Sequence, residues 1–172
     1  MVTGRAAIPT PALVVELDAL ERNLAAAQHL ADEHGVGLRP HAKTHKCAEI
    51  AHRQLALGAR GICVAKLGEA EALAAAGIDR LLVTSPVHPG WTTRLADLAA
   101  TGIDLSVVVD SAASVAALPP APGLGVLVDV DVGLHRTGVT TPEAAAELAQ
   151  SIGPDRFRGV QGYGGHWQHI AD

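Results

Sequence analysis

Short apolar runs alternate with amphipathic segments along most of the chain. Runs of strand length, rich in Val, Ile and Leu, predict strands near residues 12–17, 61–66, 81–85, 105–110, 124–131 and 159–163. Helical patterns lie between these runs, and several end at a glycine, such as Gly35 and Gly77. Thr141 followed by Pro142 predicts the start of a later helix. Asp18, with a glutamate three residues on, is the predicted cap of the first helix.

The alternation of strands and helices predicts a parallel sheet with helices outside it. Six strands, counted from a basic stretch at 38–43, predict about six of the eight βα units of a (β/α)8 TIM-type barrel, which usually needs about 250 residues. We therefore expect one α/β domain, 1–172, that is an incomplete barrel preceded by a short strand at 12–17. A doubly wound open sheet is the alternative, although no Gly-x-Gly-x-x-Gly turn follows the first strand.

Composition narrows the class of protein. Only four residues are aromatic, so the core is expected to consist of Leu, Val, Ile and Ala. The net charge is −5 and no basic block is present, which argues against a nucleic-acid partner. No segment is apolar over the length of a membrane span. Two cysteines are too few for a disulfide framework and favour a reducing compartment, so we expect a cytoplasmic protein.

The basic stretch RPHAKTHK at 39–46 carries the first candidate chemistry. Side chains alternate along a strand, so Arg39, His41 and Lys43 share one face. The strand is expected to end at Lys43, at the edge where ligands bind in βα proteins. A lysine amine there can form a Schiff base with an aldehyde cofactor. The ordinary alternative is a solvent-facing lysine at the end of a strand.

Two later stretches carry further candidates. In VDVDVGLHRTGV at 128–139, glycines flank Arg136 and allow the backbone to approach a ligand closely. An arginine there can bind a carboxylate or phenolate oxygen, whereas the alternative is a flexible surface loop. In QGYGGHWQH at 161–169, His166 and Tyr163 are candidates, although a strand aromatic is more often plain packing.

The nine histidines raise the possibility of a metal site. His41 with His45, or His166 with His169, could each supply two ligands. No Cys-x-x-Cys motif or acidic pair completes either set, so we predict no metal site within this chain.

These stretches resemble motifs of the D-threonine aldolase and D-serine dehydratase family, whose members are alanine-racemase-like (fold type III) enzymes. RPHAKTHK resembles the family's cofactor-lysine motif, and GICVAKLGEA at 61–70 is a fourth similar stretch. The resemblance implies that Lys43 carries pyridoxal 5′-phosphate, that Arg136 faces the cofactor's ring oxygen and the substrate, and that His166 lies near the ring. His41 and Tyr163 are assigned to the cofactor pocket. Gly164 stands where the related aldolases usually carry an acid.

The resemblance also implies an activity. We expect a pyridoxal-phosphate-dependent lyase of D-β-hydroxy amino acids, most readily a D-threonine aldolase, with D-serine dehydratase as the alternative. In the family a divalent metal is bound by a C-terminal β-domain, which we expect this chain to lack, and the full-length proteins are expected to be homodimers. A non-catalytic pyridoxal-phosphate-binding protein and an inactive fragment are the two other hypotheses.

Overall fold

The computed structural model describes Gly4 and residues 7–169, which fall into two compact units, Met1–Gly37 and Leu38–Asp172. The first unit contains one helix, α1 (Leu17–Glu33). Residues 12–16, where we expected a strand, have no regular secondary structure. The helix starts one residue before Asp18, with Glu16 at the cap position, so the predicted cap is wrong. A strand forms only where a neighbouring strand pairs with its backbone, and none of the described strands or bridges pairs with residues 12–15.

The second unit is built on a five-stranded parallel sheet. Its strands are β1 (Ile62–Val64), β2 (Arg80–Pro86), β3 (Asp104–Val109), β4 (Gly125–Val130) and β5 (Phe157–Gly162). The helices of this unit are α2 (Ala48–Ala56), α3 (Leu67–Ala75), α4 (Thr92–Ala99), α5 (Ala112–Ala116) and α6 (Pro142–Ile152). One short 3₁₀ segment, Pro89–Trp91, directly precedes α4, and another, Gly165–His169, comes after β5.

The strands lie side by side in the order in which they occur along the chain. A doubly wound sheet reverses its strand order at a switch point, and this sheet does not, so that alternative is excluded for the described strands. Sequential parallel strands joined by helices form the wall of a barrel. The fold class is therefore the expected one.

The expected first strand, at 38–43, is present only as an isolated bridge between His41 and Cys63. The amide of Ala42 donates to the Cys63 carbonyl (2.8 Å), and the amide of Cys63 donates to the Pro40 carbonyl (2.7 Å). Pro40 has no amide hydrogen to add to the ladder, and the chain turns immediately after His41. The segment therefore lies along the edge of β1 without forming a regular sixth strand.

Aliphatic side chains fill the space between the sheet and its helices, as the composition predicts. Leu81, Leu105 and Leu124 are fully buried, and Leu95 of α4 packs into the same cluster. The Thr141 hydroxyl accepts a hydrogen bond from the Ala144 amide (3.2 Å), which confirms the predicted start of α6. Among the described residues, no helix combines the length and the apolar character needed to cross a bilayer.

Candidate active site

A cleft of about 130 Å³ opens at the carboxyl edge of the sheet. Parallel strands all end at the same edge, so residues far apart in sequence meet there. The cleft is lined by His41, Lys43, Thr84, Arg136, Gln161, Gly162 and Tyr163. Four of the predicted site residues, His41, Lys43, Arg136 and Tyr163, are therefore brought together.

Lys43 enters the cleft from the turn that follows the edge segment at 38–42. Ala42 is 2% exposed and packs into the core, whereas Lys43 is exposed. Both residues lie in the turn and residues 38–41 are all partly buried, so the predicted strand alternation is not observed along the stretch. The ammonium nitrogen of Lys43 lies 5.2 Å from the centre of the Tyr163 ring. The backbone amide of Lys43 donates to Nδ1 of His41 (3.2 Å). Lys43 is thus held at its backbone and presents its amine beside an aromatic ring.

The loop after β4 that carries Arg136 is held by its own hydrogen bonds. The carboxylate of Asp131 accepts from the amides of Gly133 (2.9 Å) and His135 (3.0 Å), and Nδ1 of His135 lies 2.6 Å from its second oxygen. The amides of His135 and then Gly133 hold the pKa of Asp131 below its usual range. At Gly138 (φ 101°) a side chain would lie 2.5 Å from the Asp131 amide. The loop is therefore a defined turn, which argues against the flexible-loop alternative.

Tyr163 directly follows β5, and its ring lies close to two cationic side chains. The guanidinium carbon of Arg136 lies 4.4 Å from its ring centre, on the scale of a cation–π contact. The ring therefore contacts both Lys43 and Arg136, and it is 38% exposed. Tyr163 is more than core packing, because it links the two charged groups of the cleft.

His166 does not line this cleft. Its Nε2 lies 3.4 Å from the position that a side chain at Gly133 would occupy, so it packs against the loop that carries Arg136. Its Nδ1 is buried and has no hydrogen-bond partner among the described residues. The ring also contacts Trp167, with centroids 5.4 Å apart. His166 thus borders the candidate site and holds a polar atom without a partner.

Thr84 and Gln161, to which the sequence pattern assigned no role, also line the cleft, and the buried Asp129 lies behind them. The side-chain nitrogen of Gln161 donates to the Thr84 carbonyl (3.1 Å) and to the Asp129 carboxylate (3.1 Å). Asp129 is 1% exposed. Gln161 is in β5 and Tyr163 is the first residue after it, two positions on, and this period-two spacing was the available signal that both reach the cleft.

Two histidines of the basic stretch have lowered pKa values. Burial, and then the positive charge of Lys43, lower the pKa of His41, and Glu69 opposes this shift. Burial lowers the pKa of His45, whose Nδ1 accepts from the Cys47 amide (3.1 Å). Both rings are therefore favoured in the neutral form. No group of three or more potential metal ligands occurs among Gly4 and residues 7–169.

The parallel strands form a barrel-type wall, and a lysine and an arginine converge at its carboxyl edge. This combination is typical of α/β-barrel proteins that bind a ligand where their strands end. The model of the alanine racemase N-terminal domain matches residues 15–172, and the chain belongs to this family. The chain is 44% identical over 173 residues to a D-threonine aldolase of Arthrobacter sp., with 95% of this chain and 45% of that protein covered. It is 41% identical to a 3-hydroxy-D-aspartate aldolase of Paracoccus denitrificans (strain Pd 1222), with the same coverage of each.

A solved structure shows the same fold. The crystal structure of a D-threonine aldolase from Filomicrobium marinum superposes with a TM-score of 0.89 at 39% identity, covering 96% of this chain and 47% of that one. This chain therefore spans about half the length of the relatives it matches.

Pyridoxal phosphate is the cofactor that the family implies. It is a planar aromatic aldehyde with anionic oxygens. The cleft offers an amine at Lys43, a guanidinium at Arg136 and a ring face at Tyr163, and Gly162 adds no side-chain bulk to the lining. An amine can bond to the aldehyde of pyridoxal phosphate, a guanidinium can bind its anionic oxygens, and an aromatic face can pack against its ring, so the lining of the cleft fits this cofactor.

Proposed function

We propose that the protein carrying this chain is a pyridoxal-phosphate-dependent lyase of D-β-hydroxy amino acids that cleaves D-threonine to glycine and acetaldehyde. The observation that carries the proposal is the convergence of Lys43 and Arg136 on the Tyr163 ring, at 5.2 Å and 4.4 Å from its centre. The similarity to two aldolases over almost the whole chain supports it. We further propose that the protein is a homodimer and that a divalent metal serves the reaction through ligands outside these residues.

Each residue of the cleft has a role in this proposal. Lys43 supplies the amine for covalent attachment, and its exposed side chain beside Tyr163 leaves that amine accessible. Arg136 binds an anionic oxygen, because a guanidinium is always charged and donates in a fork that matches a carboxylate. When bound, pyridoxal phosphate withdraws electrons from the α-carbon of an amino acid. His166 supports the Arg136 loop through its contact with Gly133.

In the proposed reaction the Cα–Cβ bond of D-threonine breaks. The β-hydroxyl loses its proton and becomes the carbonyl of acetaldehyde, and the α-carbon gains a proton to give glycine. A dehydratase would instead remove the α-proton and release the β-hydroxyl, yielding a keto acid and ammonia. The two reactions have different products, so an assay separates them.

The test uses the protein that carries this chain, with added pyridoxal phosphate and a divalent metal. We expect acetaldehyde and glycine from D-threonine, and no product from L-threonine. Keto acid and ammonia in place of acetaldehyde would assign the dehydratase reaction. Lys43→Ala should abolish turnover, and Lys46→Ala, an exposed lysine of the same motif, is the matched control. Borohydride reduction followed by peptide mapping should label Lys43, and a label on Lys46 or Lys66 would contradict the assignment.

A further inference from the structure

A series of hydrogen bonds connects the backbone of Lys43, beside β1, to β5 at the other edge of the sheet. The amide of Lys43 donates to Nδ1 of His41, and Nε2 of His41 lies 3.1 Å from the hydroxyl of Thr84. That hydroxyl also lies 3.0 Å from the Val64 carbonyl. On the far side, Gln161 donates to the backbone carbonyl of the same threonine. Residues from β1, β2 and β5 are thereby tied to the turn that carries Lys43.

The direction of each hydrogen bond fixes the tautomer of His41. A carbonyl only accepts, so the single hydroxyl proton of Thr84 points to Val64, and the hydroxyl oxygen must accept from His41. Nε2 of His41 therefore carries the ring hydrogen. An amide only donates, so Nδ1, which faces the amide of Lys43, must carry the lone pair. The two bonds together are satisfied by one form of the ring, the neutral Nε2–H tautomer.

We propose that His41 and Thr84 are positioning residues for Lys43. Thr84 fixes His41 as the neutral Nε2–H tautomer, and this tautomer holds the backbone amide of Lys43 so that the amine emerges beside Tyr163. The inference rests on the proposed function in one respect, namely that Lys43 is the attachment site. It gives His41, which the resemblance assigned to the cofactor pocket and which lines the cleft, a role that acts through Lys43.

Two features set this arrangement apart from an ordinary, partly buried histidine. First, both ring nitrogens of His41 are engaged, Nδ1 by the Lys43 amide and Nε2 by the Thr84 hydroxyl. His45 accepts from the amide two residues on in the same geometry, but its Nε2 has no partner among the described residues. Second, a protonated ring would carry a hydrogen at Nδ1 and lose this bond, while adding a positive charge beside Lys43. The neutral tautomer avoids both effects, and the lowered pKa of His41 agrees with it.

The first test is spectroscopic and needs no bound cofactor. In protein labelled with ¹⁵N-histidine, the two ring nitrogens of His41 should show the shifts of the neutral Nε2–H tautomer at neutral pH, with the signal assigned by its loss in His41→Asn. The Lys43 amide should exchange slowly with solvent. A cationic His41, or an Nδ1–H tautomer, would overturn the proposal whether or not any variant folds.

The second test compares matched variants. His41→Asn retains an acceptor for the amide two residues on, whereas His41→Ala removes it. Thr84→Ser retains the hydroxyl, whereas Thr84→Val removes it at similar volume. We expect His41→Ala and Thr84→Val each to weaken cofactor attachment by up to about tenfold, the upper end of the effect of losing one hydrogen bond. The Asn and Ser variants should recover most of this loss.

Cofactor attachment is measured by borohydride trapping at increasing pyridoxal phosphate concentrations, with circular dichroism and thermal melting to confirm that each variant is folded. Wild-type attachment in His41→Ala or in Thr84→Val would overturn the inference. Neither readout depends on turnover. A protein that traps the cofactor on Lys43 but does not cleave D-threonine would contradict the proposed reaction and leave this inference standing.

Discussion

The guanidinium carbon of Arg136 lies 4.4 Å from the centre of the Tyr163 ring. The arginine comes from the loop after β4 and the tyrosine from the end of β5, so the contact joins two neighbouring strand ends. The Asp131 turn holds the loop on one side, and the sheet holds the tyrosine on the other. The cationic group is therefore presented to the cleft in a defined position.

Arg136→Ala is expected to lower kcat/KM for D-threonine at least about tenfold, which corresponds to about 1.4 kcal/mol of transition-state stabilisation. The reason is the loss of a charged, bidentate donor for an anionic oxygen. Steady-state kinetics of the loaded protein measure the effect. Arg158→Ala is the control, because Arg158 is an exposed residue of β5 outside the cleft. Wild-type kinetics in Arg136→Ala would make this arginine an ordinary surface residue.

Tyr163→Leu is expected to weaken pyridoxal phosphate binding at least about fivefold, because it removes a ring face that contacts two cations, each contact contributing about 0.5–1 kcal/mol. Tyr163→Phe keeps the ring and should recover most of the affinity. Borohydride trapping at increasing pyridoxal phosphate concentrations measures the affinity of each variant, and this readout does not depend on the single tyrosine of the chain. Equal losses in the Phe and Leu variants would show that the hydroxyl, and not the ring face, matters.

Gly138→Ala is expected to destabilise the fold by about 1–3 kcal/mol, the usual cost of a residue held in a disfavoured backbone region. The glycine has φ 101°, and an added side chain would lie 2.5 Å from the Asp131 amide. Urea unfolding measures the change in the free energy of unfolding. Gly123→Ala is the matched control, because nothing lies within 4 Å of the added methyl group. Similar stability of the two variants would show that the Asp131 turn can relax.

The stability of the fold is expected to decrease as the pH falls below 6.5. The pKa values of His41 and His45 are lowered from 6.5 in the folded chain. Between the folded pKa and 6.5 the unfolded chain binds more protons, so acid favours unfolding. The pKa of Asp131 is lowered from 3.8 in the folded chain, so its contribution to stability is lost only as the pH falls below 3.8. The histidine contribution begins to be lost at the higher pH of 6.5.

Urea unfolding at about pH 7.5 and about pH 5.5, on either side of the ordinary histidine pKa, measures this dependence. His41→Asn and His45→Asn should each reduce the difference in the free energy of unfolding between the two conditions. An unchanged difference in both variants would assign the pH dependence to other groups.

Much of this protein is determined by local pattern in the sequence. Short apolar runs predicted the five strands, because strands covered on both faces are apolar throughout, and helical spacing predicted the helices between them. The start of α6 followed from Thr141 and Pro142, whose capping chemistry is local. The motifs also indicated Lys43 and Arg136, because ligands in such proteins bind where strands end.

Other features were decided by tertiary structure alone. Residues 12–16 are apolar enough for a strand, but pairing depends on a neighbour that sequence pattern does not specify. His41, Thr84 and Gln161 are separated by many residues, and they meet because the register and curvature of the sheet bring their strand ends together. The tautomer of His41 follows from which groups face its two nitrogens. Periodicity tells which face a residue occupies, whereas its hydrogen-bond partners are set by strands distant in the chain.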